Sequence, residues 1–291
     1  MSDRSSVPSP RLPMPPIGLM FIAIVTTQVG SAFAKALFPQ VGPGGMVLLR
    51  VGLAAIALLL LWRPRWTLES QKHLPLLVGF GAALVTMNFC FYLAIERLPI
   101  GVAVALEFLG PLGLAIATSR EWGDMMWAVV AGIGVVLLAP WGGFQVDPWG
   151  ILLALLAAGG WATYIVLSAK TGRALPGGQG LAWAMAIGAV LLLPIGISSA
   201  GMRLLSPQIL ALGLGVALLA SVIPYSCELE ALRLLPMYVV GILLSLEPVV
   251  AALSGWLILG EVLNVRAMIA IVLVAIAAAG VSRPQQKEIG E

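Results

Sequence analysis

Apolar residues dominate this chain in runs of about twenty positions, the length a helix needs to cross a bilayer, and polar residues gather in the short gaps between the runs. Ten such runs can be drawn, at roughly 16–38, 44–62, 74–95, 100–118, 125–141, 148–168, 178–199, 207–232, 237–258 and 264–282. Hydrophobicity within them does not alternate with period two, so they predict helices and not the strands of a membrane barrel. Pro or Gly marks several of the gaps: Pro39 to Gly45, Pro99, Pro140 to Gly143, Pro176 to Gly178, and Pro236. The pattern also repeats itself. Ile95–Pro111 reads IERLPIGVAVALEFLGP, and 137 positions later Leu232–Pro248 reads LRLLPMYVVGILLSLEP. The expected architecture is an all-α integral membrane protein of ten transmembrane helices in a five-plus-five repeat. Its halves would be residues 16–141 and 148–282, with tails at 1–15 and 283–291. Five is odd, so the second copy enters the membrane in the opposite sense, as in transporters built from inverted repeats around a midplane site.

Composition strengthens this picture. Sixty per cent of residues are hydrophobic and 10% charged, where a soluble protein carries roughly 25% charge; mean hydropathy is +1.03. The net charge of +3 is no sign of nucleic-acid binding, because the basic residues sit in short loops. With the N-terminus inside, Arg4, Arg11, Arg63, Arg65, Lys72, Arg120, Lys170, Arg173, Arg233, Arg283 and Lys287 fall on the inner side, against Arg97, Arg203 and Arg266 outside. That bias predicts both termini cytoplasmic in a bacterial inner (plasma) membrane. Met1–Pro15 is rich in Ser and Pro and reads as a short cytoplasmic tail, not a signal peptide. Cys90 and Cys227 are 137 apart within apolar runs and read as free buried thiols.

The remaining charges stay inside the runs, where each costs about 2.5–3.5 kcal/mol at a span centre and so needs a partner or a function. Lys35, Arg50 and Glu107 share one depth layer. Two readings stay open: a neutralising cluster that locks helices, or a site where a zwitterion's carboxylate meets Lys35 or Arg50. Glu247 falls near mid-span. Pro248 after it lacks the N–H that would bond the carbonyl of Leu244, as Pro111 does for Glu107. Glu228 has no local partner, whereas Glu230 stands three residues before Arg233 and reads as an interfacial pair. Asn88 and Tyr92 share one helix face, and Tyr225 and Glu228 another. Gln28, Trp161 and Tyr164 complete the polar and aromatic inventory of the interiors, with interhelical hydrogen bonding as the plainer reading. Glu96 and Arg97, Glu261 with Arg266, and Glu121 with Asp124 read as loop charges. The chain has no GxxxxGK[ST] phosphate loop, no HExxH and a single histidine, His73. No catalytic residue, metal site or cofactor is expected, and the sequence points away from an enzyme.

Several strings carry a resemblance: AKALFPQVG (Ala34–Gly42), LLRVGLA (Leu48–Ala54), VAVALEFLGPL (Val102–Leu112), GGWATYI (Gly159–Ile165), IPYSCELEAL (Ile223–Leu232), and LSLEPVVAALSG (Leu244–Gly255) followed by LGE (Leu259–Glu261). The chain resembles the EamA-type branch of the drug/metabolite transporter superfamily, and within it the bacterial threonine/homoserine exporters. The resemblance implies export of small amino acids in exchange for protons, through a central cavity between the repeats. The resemblance itself assigns no binding residues; from the matching strings and the charges kept inside the runs, substrate contacts are expected from Lys35, Arg50, Asn88, Tyr92, Glu107, Trp161, Tyr164, Tyr225, Glu228 and Glu247, with Glu107 and Glu247 coupling to protons. The expected partners are threonine, homoserine, protons and lipid. The rival readings are an exporter of another metabolite or drug, and a non-transporting scaffold or lipid-handling protein.

Overall fold

In hydrocarbon an unpaired backbone N–H or C=O costs several kcal/mol, so apolar runs close their own hydrogen bonds as helices. The computed structural model describes residues 15–118, 122–138, 147–235 and 237–281, and all the regular structure among them is helical. The first half holds α1 (Pro16–Ala36), α2 (Phe38–Trp62), the short α3 (Leu68–Lys72), α4 (Leu74–Arg97), α5 (Ile100–Glu107), α6 (Leu109–Thr118) and α7 (Trp122–Leu138). The second holds α8 (Pro148–Ala174), α9 (Gln179–Ala200), α10 (Pro207–Ala217), α11 (Ile223–Leu234), α12 (Met237–Leu244), α13 (Glu247–Leu259) and α14 (Val265–Val281). Proline opens α1, α2, α4, α8 and α10, at first-turn positions whose N–H has no partner in any case. Eight helical stretches are long and apolar enough to cross a membrane, and Met125–Leu137 and Val265–Gly280 are shorter apolar helices. Pro140 to Gly143, Pro236 and the expected tails, apart from Pro15, lie outside the described residues, as do Arg120 and Glu121.

Three expected runs are less regular than their hydrophobicity suggests. The fourth breaks at Phe108 and the ninth at Ser245–Leu246. Pro111 and Pro248 follow within a few residues, and a proline that fits a first turn forces the break upstream of itself. The eighth run joins α10 to α11 through a π-helical turn, Leu218–Val222. Between the first two runs, the gap expected from Pro39 to Gly45 is instead helical from Phe38, with a kink at Gly42 (φ 68°, ψ 166°).

Inward faces pack into one main core that includes Met46, Leu58, Phe80, Leu84, Tyr92 and Ile100. Outward faces leave Leu60, Val136 and Leu257 exposed, as suits lipid contact. α1 lies against α11 and α13; α8 lies against α4, α5 and α6; α2 runs along α9, and α7 along α14. Small residues permit these approaches. A Cβ on Gly30 of α1 would stand 2.9 Å from the Cβ atoms of Ala220 and Leu219, and one on Gly110 of α6 would run into the Ala158 carbonyl of α8.

Candidate functional site

Arg50 is buried on α2, facing the π turn and α4. Its Nε donates to the Ser221 hydroxyl at 3.0 Å, and Nη2 donates to the Ala220 carbonyl at 2.7 Å. Local sequence explains the second bond. Pro224 has no N–H to give the carbonyl four residues before it, so Ala220 keeps a free acceptor that the guanidinium takes. Nη1 reaches the Tyr92 hydroxyl at 3.4 Å, and the guanidinium carbon stands 5.5 Å from the Tyr92 ring centre. Among the described residues Arg50 is thus fixed by neutral groups, and two of its five N–H donors have no partner there.

Arg50 lines a cavity of about 90 Å³ at the meeting of the broken helices. Glu107 ends α5, Glu247 begins α13 and Glu228 projects from α11, and all three line it. Among the described residues no hydrogen bond or ion pair reaches any of the three carboxylates. α1 contributes Thr27, Gln28 and Ser31; α4 contributes Met87, Asn88 and Phe91; and Trp161, Tyr164 and Tyr225 close the walls. Trp161 stands edge-on to Phe108 at 5.5 Å, and Tyr164 is tilted against Phe80 at 5.3 Å. One guanidinium faces three carboxylates in a low-dielectric space, where an unbalanced charge is costly. The cavity therefore calls for protons or a cationic group. Among the described residues the carboxylates do not gather into a group that could hold a metal ion.

The two ends of the bundle differ. Toward Gly177 the cavity adjoins a larger one of about 170 Å³, sharing Tyr164, Tyr225 and Glu228 with it, that reaches the surface at exposed Gly172 and Gly177. At the opposite end, Lys35 Nζ donates to Glu261 Oε1 at 2.5 Å and to the Leu98 carbonyl at 2.8 Å, while Glu261 Oε2 accepts from the Ile100 N–H at 2.8 Å. These bonds tie α1, the α4–α5 junction and the end of α13 together. Beside them Arg97 pairs with Asp147 at 2.8 Å, and Asp147 caps α8 through the Trp149 N–H. The Arg97 hydrogen bond is the main reason the Asp147 carboxyl lies below its ordinary range.

The threonine/homoserine exporter RhtA of Escherichia coli strain K12 is 40% identical over 277 residues, covering 94% of this chain and 93% of its own. RhtA of Salmonella typhimurium strain LT2 is 40% identical over 283 residues, covering 94% and 95%. The EamA-like transporter family model matches residues 148–283. The chain belongs to the EamA-like transporter family. Protein PecM of Dickeya dadantii is a more distant relative, 28% identical over 208 residues and 68% of each chain. A crystal structure sharing 20% identity superposes with a TM-score of 0.58 over 90% of this chain and 95% of its own, which speaks for the fold alone. The RhtA relatives are exporters, and this EamA-family chain is a multi-pass membrane transporter rather than an enzyme.

Within this EamA-family fold, eight of the expected site residues line the one cavity: Arg50, Asn88, Glu107, Trp161, Tyr164, Tyr225, Glu228 and Glu247. Tyr92 stands behind Arg50 and orients it. Lys35 is elsewhere, because it is drawn to Glu261, which reads as a loop charge in the sequence but is only 14% exposed in its side chain. Thr27, Ser31, Met87, Phe91 and Ala220 join the lining unforeseen. Spacing gave a signal for two of them: Ala220 precedes Pro224 by four, and Ser31 follows Gln28 by three.

Proposed function

We propose that this protein is an inner-membrane secondary transporter that exports small amino acids of the threonine and homoserine kind by exchange with protons. The observation that carries the reading is the cavity that sets Arg50, already held in place, beside three carboxylates with no hydrogen bond or ion pair among the described residues. A zwitterion offers the matching groups. Its carboxylate takes the two spare N–H donors of Arg50, as a planar fork suits a carboxylate. Its ammonium meets Glu107, Glu228 or Glu247. One ammonium does not balance three carboxylates, and the remainder is met by protons. Protonation of Glu107 or Glu247 then alternates with substrate, which is the linkage that antiport requires. The 40% identity to the threonine/homoserine exporters across nearly the whole chain supports the cargo. A drug-like apolar cargo would strand four charged side chains, and a scaffold would have no use for a cavity there.

In the same proposal ten helices form two inverted five-helix repeats, with both termini cytoplasmic. Shifted by 137 positions, α5 (Ile100–Glu107) falls on α12 (Met237–Leu244), and the break at Phe108 falls on that at Ser245. Exchanging the halves turns the α1–α11 contact into α8–α4 and the α1–α13 contact into α8–α6, and leaves α2–α9 and α7–α14 in place. Both relations support the repeat. With this orientation the Gly177 end faces the cytoplasm, and the Lys35–Glu261 pair closes the outer side.

The test is counterflow of labelled homoserine into proteoliposomes against a panel of unlabelled competitors. Threonine and homoserine should compete at the lowest concentrations, and their decarboxylated amines should not compete. Competition by apolar drugs but not by amino acids would refute the cargo.

A further inference from the structure

Gln28 and Ser31 of α1 lie three residues apart, on one helix face, and both line the central cavity. They are 2% and 1% exposed. Even so, neither side chain bonds to any other described residue, and Oε1 of Gln28 is sealed in with no partner. Other polar side chains in these helices bond back to their own backbone. Thr26 donates to the Ile22 carbonyl at 2.7 Å, and Asn88 donates to the Leu84 carbonyl at 2.9 Å. Thr171 Oγ1 and Trp183 Nε1 are also buried without a partner, but neither residue lines the central cavity, and a buried amide without partners is costly to keep. Its position is also fixed, since Gly30 presses α1 onto Ala220 and Leu219.

Arg50 and the carboxylates account for the charged ends of an amino acid. What remains on α1 is a neutral donor–acceptor pair with a hydroxyl one turn on. We propose that Gln28, seconded by Ser31, hydrogen-bonds a hydroxyl on the substrate's side chain and selects small hydroxylated amino acids over their apolar isosteres. This rests on the amino-acid reading above and adds the residue that sets its specificity. Rotation of the amide about its last side-chain bond brings either Oε1 or Nε2 to the hydroxyl, which donates to the one or accepts from the other and can exchange a second bond with Ser31. An apolar isostere fills the same space but leaves the amide unpaired, and sites built to bond a hydroxyl reject the analogue lacking it strongly.

Counterflow in proteoliposomes, comparing threonine with valine and homoserine with norvaline, decides it. The unaltered protein should prefer each hydroxylated substrate at least ten-fold in half-saturating concentration. In Gln28→Met, similar in length and without hydrogen-bonding groups, the preference should fall below three-fold, with valine exchange kept or improved. A protein that transports threonine without preference over valine overturns the proposal whatever the variant does. So does Gln28→Met with its preference intact, or with equal loss for both substrates, which would mark a packing role. A protein that transports no amino acid refutes the cargo itself, and the homoserine counterflow signal, absent in that case, separates this failure from a failure at Gln28.

Discussion

At the scale of single residues, the site depends on how a few polar groups are held where polarity is costly. Arg50 is pinned through Ser221, Ala220 and Tyr92, so the guanidinium lining the cavity needs little further ordering. Lysine keeps the charge but not the planar fork. Arg50→Lys should therefore raise the half-saturating threonine concentration at least ten-fold while the protein still inserts, as counterflow titration would report. The surface pair Arg97–Asp147 gives a separate, pH-dependent prediction. Because the folded Asp147 carboxyl lies below its ordinary range, its contribution to stability is complete above the unfolded value. It is lost as pH falls through the folded one. Thermal melts in detergent should show Asp147→Ala less stable than Asp147→Asn at pH 7, since asparagine still caps α8. Much of this chemistry was legible beforehand: Arg50, Glu107, Glu228 and Glu247 stand out as charges inside apolar runs. Lys35 was not legible, because its partner lies 226 positions away and no local pattern links them. Nor was the importance of Gln28, since uncharged polar residues in membrane helices are ordinary until the partner they lack becomes visible.

At the scale of elements, prolines break the helices and the breaks place the chemistry. Glu107 closes α5 just before its break and Glu247 opens α13 just after the matching break, so in the 137-residue pattern they match Leu244 and Gly110 and not each other. Hydrophobicity alone made each run look continuous, and only Pro111 and Pro248 hinted at the interruption. The π turn had a weaker signal still: Pro224 explains the free Ala220 carbonyl, but not that Arg50 would be the group to take it. Gly30 lets α1 close on this turn. Gly30→Val should cost about 1–3 kcal/mol through overpacking, read as a lower melting temperature. It should also depress transport of all substrates alike, unlike a change at Gln28.

At the scale of the whole molecule, one end is tied by Lys35, Glu261 and the α4–α5 junction, while the other opens toward Gly177. Alternating access then requires the Lys35–Glu261 pair to separate. Glu261→Gln retains an acceptor for the Ile100 N–H but loses the ion pair. With Cys90 and Cys227 replaced, Ser31→Cys should react with an impermeant maleimide several-fold faster from the Lys35 side once Glu261→Gln is added. No change in rate would mean that the pair does not gate. Exchange of an amino acid for protons in the Arg50 cavity can be read most directly from pH-gradient-driven threonine flux into proteoliposomes. The unaltered protein should show gradient-driven accumulation, and Glu107→Gln or Glu247→Gln should lose it while downhill exchange is retained. Accumulation that survives both substitutions would contradict proton exchange in this cavity.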